Sequence, residues 1–211
     1  MEHDFAKEVL ERTSGAREIP GNVIELQTHG PTAFDAWMEA IKNAETYIHF
    51  ENYILRDDSL GVKFRDLLIS KALEGIQVRV LYDWVGCWAT PAAFWKPFRA
   101  GGVKVRGFNR PSLKDPYSMF QRDHRKLVVI DGKIVFSGGF CVGQEWAGMD
   151  GEPPWRDTGI MIRGPAATIA NRAFGRTWSI AGGIFPEPMA EEHMVAEGET
   201  SVWLIEGEPG K

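Results

Sequence analysis

His124, Lys126 and Asp131 stand in an H-x-K-x-x-x-x-D spacing that occurs once in the 211 residues. The stretch runs Arg122-Asp123-His124-Arg125-Lys126-Leu127-Val128-Val129-Ile130-Asp131-Gly132 and continues to Ser137-Gly138-Gly139-Phe140-Cys141. An imidazole nitrogen can attack phosphorus and form a covalent phosphohistidine, dividing one hard displacement into two easier ones. A lysine ammonium two residues on can hold a nonbridging phosphate oxygen and offset charge in the transition state. In a strand these two residues share a face and project together. Arg122 and Arg125 would add to the phosphate-attracting field, and Gly138-Gly139 would let backbone N–H groups approach an anion closely. The reaction needs a second histidine to protonate the leaving oxygen. His3, His29, His49 and His193 lack a lysine two residues later, so none supplies it. His49 reads as a packed strand residue.

Each of these positions also has a plain reading. A lone His-x-Lys pair is common, Asp131-Gly132 and Gly138-Gly139 are turn sequences, and Arg122, Arg125 and Lys133 fit a solvated face. The joint register of motif, hairpin, glycine pair and basic loop is what favours phosphoryl chemistry.

The elements that must hold these residues alternate between strand and helix. Val23–Leu26 reads as a short strand. Thr32 is expected to cap a helix with the stripe Phe34, Trp37, Met38 and Ile41. Tyr47–Leu55 reads as a strand, Ser59–Glu74 as a helix closed by Gly75, and Ile76–Tyr82 as a strand. Thr90-Pro91 is expected to open a helix that Pro97 kinks or shortens and Gly101-Gly102 ends. Val103–Phe108 follows as a strand, then a loop over 109–121. Leu127–Ile130 and Lys133–Phe136 flank Asp131-Gly132 as a hairpin. Residues 144–156 read as a loop, Thr158–Arg163 as a strand, and Pro165 as the start of a helix with Ile169, Phe174 and Trp178 inward. This alternation indicates a layered α/β domain. Residues 1–20 read as an N-terminal arm, 21–182 as the domain, and 183–211 as an acidic linker ending in one more strand at Ser201–Ile205.

Bulk properties set the bounds. The chain is 44% apolar and 25% charged with a formal charge of −5, ordinary for a globular protein and unlike a whole-surface nucleic-acid binder. Locally, residues 99–133 carry nine Lys or Arg against three Asp, whereas 185–211 carry seven Glu and one Lys. Cys87 and Cys141 lack metal-ligand or C-x-x-C spacing, and a reducing cytoplasm is the simplest compartment. The charged N-terminus lacks the apolar core of a signal peptide, and no apolar run approaches the ~18 residues that span a bilayer.

The motif resembles that of the phospholipase D superfamily, and most of all its bacterial cardiolipin synthase branch. Ile48-His49-Phe50-Glu51-Asn52-Tyr53-Ile54 resembles that branch's first core strand, and Gly75 through Gly86 its second. Trp155-Arg156-Asp157-Thr158 with Gly164-Pro165 resembles the downstream strand and helix start. The resemblance implies a mixed β-sheet flanked by helices, forming one of the usual two halves. It implies His124 as nucleophile or general-acid partner, Lys126 as phosphate ligand and Asp131 as an orienting carboxylate. Asp157 takes the place of an acid that supports a motif histidine. Glu145 matches an acidic position after the glycine pair, though a solvated loop glutamate is as good a reading. Gly138, Gly139 and Cys141 occupy phosphate-binding positions. The family usually has Asn at the last of these, and a thiol donates more weakly; Cys141 reads more readily as a small buried residue.

The expected function is phosphodiester cleavage or phosphatidyl transfer, completed by a second motif from the same chain, if longer, or from an identical chain. No cofactor or metal is called for. The expected partners are a phospholipid, that second half and a membrane surface, met through aromatics such as Trp88, Phe94 and Trp95 unless these are core. Nucleic acid fits the acidic charge less well. The expected place is cytoplasmic, peripheral at the inner face of the membrane. A homodimeric phosphodiesterase or nuclease, an inactive anion-binding half and a gene fragment are the alternatives. In the last, Val202–Gly210 would open a missing second half.

Overall fold

Alternation along Tyr47–Asn52 sorts the protein into layers. In this computed structural model, residues 2–111, 121–148, 151–185 and 195–207 are described. Tyr47–Asn52 is strand β2, buried at all six positions. Ile48 and Phe50 enter one apolar cluster with Phe34, Trp37 and Phe64. Tyr47 enters the other, with Ala166, Ala170, Phe174 and Trp178. A strand buried on both faces is central by necessity, because its side chains alternate between two cores.

The first cluster is covered by α2 (Gly30–Lys42), α3 (Ser59–Leu73), α4 (Ala92–Ala100) and the short α5 (Gln144–Ala147). The second is covered by α6 (Pro165–Ile180). Between them lies an eight-stranded sheet. Its remaining strands are β1 (Glu18–Gln27), β3 (Gln77–Asp83), β4 (Lys104–Phe108), β5 (Leu127–Ile130), β6 (Ile134–Gly138), β7 (Gly159–Arg163) and β8 (Thr200–Trp203). The order is β4-β3-β2-β5-β6-β7-β1-β8. β2, β3 and β4 are mutually parallel, whereas β5, β6, β7, β1 and β8 pair antiparallel. The layered α/β class with a mixed sheet stands.

Register brings one end of the sheet into focus. Glu51 lies opposite Leu127, Asn52 opposite Tyr82, Leu127 opposite Ser137, and Gly138 opposite Gly159. The segments leaving β2, β3 and β6 and those entering β5 and β7 therefore share one rim. Asp131 and Gly132 both have positive φ (53° and 66°), as the tight β5–β6 hairpin requires.

Several expectations needed correction. Thr32 does not cap α2: His29 is the N-cap, and the Thr32 hydroxyl donates to its carbonyl from inside the first turn. Thr90 does not cap α4 either: Pro91 holds that place, and Thr90 donates to Leu55 O at 2.6 Å. Both are tertiary outcomes that a capping pattern does not contain. α4 runs through Pro97 to Ala100, whereas Gly75 does close α3, with φ +95°. The 144–156 segment contains α5. Ile169 is only partly buried, and the inward face of α6 is instead carried by alanines together with Phe174 and Trp178. β1 begins at Glu18, ahead of the anticipated boundary at residue 20, after helix α1 (Glu2–Ser14). The final strand, β8, pairs with β1 at the edge of this same sheet. Most of the loop over 109–121 lies outside the described residues.

Candidate active site

The segment 122–126 is not itself a strand; it is an extended run that enters β5. It is held from both sides. On one side is Asp83, wholly buried at the end of β3. Its carboxylate accepts from the N–H groups of Val85 and Gly86, from Arg122 Nη1 at 3.2 Å and from Asp123 N at 3.0 Å. On the other is Glu51, also wholly buried, which receives Arg125 Nε at 2.8 Å and Nη2 at 3.0 Å. Arg125 reaches further to Ala173 O and the Thr177 hydroxyl on α6. His124 lies between the two anchors with its ring exposed.

This arrangement overturns one expectation. Arg122 and Arg125 are engaged by Asp83 and Glu51 and hold the backbone in place, rather than adding free charge to a phosphate site. The physical reason is burial: a guanidinium beside a desolvated carboxylate is worth more as a bidentate partner than as field.

Glu51 and Asp123 also meet each other. Burial pushes both carboxyls up, and the hydrogen bond between them places the higher affinity for a proton on Glu51. Arg125 is the cation the two carboxyls share, and its charge opposes both shifts.

His124 and Lys126 do come together. Lys126 Nζ lies 3.0 Å from Nδ1 and 3.3 Å from Nε2 of His124, and donates to the His124 carbonyl at 2.8 Å. Tyr53 completes the group: its ring centroid is 4.3 Å from that of His124 and 5.2 Å from Lys126 Nζ. Desolvation, then the Lys126 charge, lowers the His124 pKa, which favours the neutral imidazole a nucleophile requires. Burial likewise lowers Lys126, with Cys141, Asp157 and Asp123 opposing.

Asp131 anchors the far end of β5. Its carboxylate accepts from the N–H groups of Glu45, Thr46 and Tyr47, each at 2.8 Å, and from the Thr46 hydroxyl at 2.6 Å. Burial alone would raise its pKa; these donors outweigh it and hold the carboxyl below the usual aspartate range. Asp131 therefore belongs to the scaffold, tying the β5–β6 turn to the start of β2. Asp131→Ala is expected to cost about 3 kcal/mol, since hydrogen bonds to a charged group contribute roughly 1.5–3 kcal/mol each and this site is partly exposed. The measurement is the urea midpoint at constant slope. Because the folded pKa is depressed, the contribution is present above pH ~3.9 and fades as pH falls through the folded value. A midpoint equal to wild type at pH 7 would reject the anchoring role.

The glycine pair is a close-approach device. Gly138 has φ +147°, and a Cβ there would lie 2.4 Å from Gly159 Cα; one on Gly139 would lie 1.7 Å from Asp157 Oδ1. Gly139 N–H already donates to Thr158 O at 2.9 Å. The expected anion-binding use of that N–H is replaced by β6–β7 packing and by seating Asp157. The Asp157 carboxylate accepts from Trp146 Nε1 at 3.1 Å and from its neighbour's N–H at 2.8 Å, and its charge reaches Lys126 and Cys141. Glu145 pairs with Arg56 at 3.2 Å and accepts Trp155 N on its carbonyl. Cys141 is buried, its thiol pushed up by burial against the Lys126 charge.

His49 packs as expected: its ring stacks on Phe174 at 4.6 Å, bonds Asn171 Oδ1 at 2.6 Å, and is held neutral by burial, with a pKa of about 3. Of the aromatics proposed for a membrane, Phe94 and Trp95 are core, whereas Trp88 is 74% exposed. Trp155, not anticipated, is 58% exposed. Sequence reasoning also missed Tyr53, Glu51 and Asp83 as parts of the site. Among the described residues no group of His, Cys, Asp and Glu could hold a metal ion, and no helix is long and apolar enough to cross a membrane.

Comparison with known proteins agrees with this geometry. Cardiolipin synthase A of Pseudomonas putida is 39% identical over 164 residues, covering 76% of this chain and 34% of that one. Cardiolipin synthase of Geobacillus thermodenitrificans is 38% identical over 189 residues, covering 86% and 37%. The chain thus spans about a third of the length of the relatives it matches. Among solved structures, the phosphatidylserine synthase of Haemophilus influenzae superposes with a TM-score of 0.60 at 19% identity, over 81% of this chain and 39% of that one. Nuc of Salmonella typhimurium, a phospholipase D family member, superposes at 0.57 and 17% identity, over 75% of this chain and 95% of that one. These two share the fold. Residues 37–147, just over half the chain and including His124, Lys126 and Asp131, match the family described as "Cardiolipin synthase, PLD-like domain". The chain belongs to that phospholipase D-like family.

Proposed function

We propose that the chain is one motif-bearing lobe of an enzyme that transfers a phosphatidyl group between alcohols, with hydrolysis as the same reaction run onto water. The observation that carries this reading is the exposed, neutral-tending His124 imidazole set 3.0 Å from Lys126 Nζ on a braced segment. A ring nitrogen of His124 attacks phosphorus, a P–N bond forms and the P–O bond to the leaving alcohol breaks. The histidine of a second motif gives that oxygen its proton. An acceptor alcohol, deprotonated by the same partner histidine, then attacks phosphorus and returns His124. Lys126 holds the nonbridging oxygens throughout.

The second motif is supplied by a partner lobe, either further along a longer chain or on a second copy. The identity to two cardiolipin synthases supports a phospholipid over a nucleic acid substrate, as does the acidic net charge. The exposed Trp88 and Trp155 suit a peripheral approach to a cytoplasmic membrane face.

The test offers phosphatidylglycerol vesicles and a labelled polyol acceptor across a range of protein concentrations. A labelled diacyl product whose specific yield rises with concentration is the expected result and identifies a second copy as the partner. Yield that appears only when a chain bearing another such motif is added identifies the longer arrangement. Cleavage of oligonucleotides with no lipid product under either condition would overturn the reading.

A further inference from the structure

Tyr53 is the first residue beyond β2, where the strand runs out onto the rim of the site. Its place is fixed from behind. The Cys87 thiol donates to Tyr53 O at 3.5 Å. A Cβ added at Gly86 would fall 2.0 Å from that same oxygen and 3.0 Å from Tyr53 Cδ2, so the loop after β3 packs directly on the residue. Gly86 N–H in turn donates to Asp83, the buried carboxylate that also holds Arg122 and Asp123. One anchor therefore sets both the run that bears His124 and the ring beside it.

What that ring touches is the chemistry. Its centroid is 4.3 Å from that of His124, and Lys126 Nζ lies over it at 5.2 Å. Lys126 is buried and points its donors at His124, 2.8 Å from the carbonyl and 3.0 and 3.3 Å from the ring nitrogens. The contacts to the ring nitrogens cannot survive the reaction, because the attacking nitrogen commits its lone pair to phosphorus. At that moment the ammonium needs a hold that is neither the imidazole nor an anion competing with phosphate for its N–H groups. The negative face of an aromatic ring supplies one. It attracts the cation through its quadrupole and carries no net charge to repel a phosphodiester.

We propose that Tyr53 is a positioning residue whose ring seats the Lys126 ammonium beside His124, leaving the lysine's N–H groups to turn onto the phosphate oxygens. It rests on the phosphatidyl-transfer reading and adds what holds the phosphate ligand in place. Packing alone would ask only for an apolar side chain at this position, since Tyr53 is partly buried against the first cluster. The seat asks for an electron-rich ring. Losing it should weaken phosphodiester binding roughly two- to thirtyfold, the span of a cation–π contact from exposed to desolvated.

The test is a double-mutant cycle between Tyr53→Leu and Lys126→Met on the full chain, with two measurements. The first is the His124 titration, followed by NMR of the labelled imidazole and assigned by its loss in His124→Ala. Desolvation and then the Lys126 charge lower that titration, and Nζ already touches the ring, so freeing it can only carry the charge away. Tyr53→Leu should therefore raise the His124 midpoint. Asp83 and Asp123 act on His124 in the opposite direction and stay in place. The second measurement is binding of glycerophosphoglycerol, a water-soluble phosphodiester. Expected are a raised midpoint and weaker binding in Tyr53→Leu, restoration of both in Tyr53→Phe, and smaller effects of Tyr53→Leu once Lys126 is already replaced. Effects of the same size with or without Lys126 would overturn the proposal. So would Tyr53→Phe behaving like Tyr53→Leu, which would give the role to the hydroxyl. If Tyr53→Leu does not fold, a pentafluorinated phenylalanine in place of Tyr53 keeps the shape and drains the negative face. It should then titrate higher and bind more weakly than Tyr53→Phe, and equality would sink the idea. A wild type that shows the titration coupling yet binds no phosphodiester refutes the transfer reading of this lobe and keeps the seat. Phosphodiester binding without the coupling does the reverse.

Discussion

His124→Ala is expected to abolish phosphatidyl transfer, with a loss on the order of 10⁴-fold or more, the scale seen when an attacking side chain is removed. Its lever is chemical rather than structural. The ring is exposed and makes no contact that the two anchors depend on, since Asp83 and Glu51 grip residues 122, 123 and 125. Stability of the variant should therefore stay near wild type, and the urea midpoint checks this in the same preparation. A radiolabelled phosphoryl group should be trapped on the wild-type protein by acid quenching and be absent from the variant. The pH profile supplies a sharper arm. Desolvation and then Lys126 lower the His124 pKa, so the neutral ring persists below the ordinary value of about 6.5 and the acid limb of kcat/KM should fall below it. Lys126→Met removes the second of these causes and should move the limb upward while lowering kcat. An acid limb above the ordinary histidine range, or turnover retained in His124→Ala, would remove this residue from the mechanism.

How legible was this site beforehand? The motif pair, the Asp131-Gly132 hairpin and most of the strand and helix order depend on local spacing, and local spacing is what a sequence carries. His49 was also legible as a packed strand residue, because a strand buried on both faces leaves no exposed ring. The failures share one cause. Arg122 and Arg125 look like phosphate-seeking cations until the partners are known, and Asp83 and Glu51 lie 39 and 74 residues away. Gly138-Gly139 looks like an anion cradle until Asp157 and Gly159 are brought against it by β6–β7 pairing. Phe94 and Trp95 fit either a membrane patch or the core until α4 is placed, and their burial decides for the core. Thr32 and Thr90 are plausible caps whose hydroxyls are taken by other carbonyls. In each case the side chain's character was read correctly and its partner was not, because the partner is fixed by sheet order.

Glu51→Ala follows from the same non-local pairing and is the largest stability effect expected here. Removing one member of a buried ion pair leaves the other desolvated without compensation, which costs about 3–5 kcal/mol. Here the cation left behind would be Arg125, which keeps Asp123 at 3.7 Å, so the cost should fall short of the top of that range; it is braced against Ala173 O and Thr177 of α6 and flanks His124. The loss should appear as a lower urea midpoint and a mobile 122–126 segment, with turnover reduced beyond what the unfolded fraction explains. Glu51→Gln separates shape from charge, since it fills the same space and still offers Arg125 one carbonyl. Its penalty should depend on pH in a definite direction. Burial, and then the Asp123 charge, raise Glu51 above its ordinary value, so the folded wild type binds a proton that the unfolded chain releases above about pH 4.5. Stability from this group is complete below that point and declines as pH rises toward the folded pKa. Glu51→Gln carries no such proton and leaves Asp123 alone beside Arg125, so its deficit relative to wild type should shrink as pH increases. A deficit that instead grows with pH would mean that Glu51 is an ordinary carboxylate in the folded protein. The upward shift of Glu51 would then have to be abandoned, although the bidentate grip on Arg125 would remain.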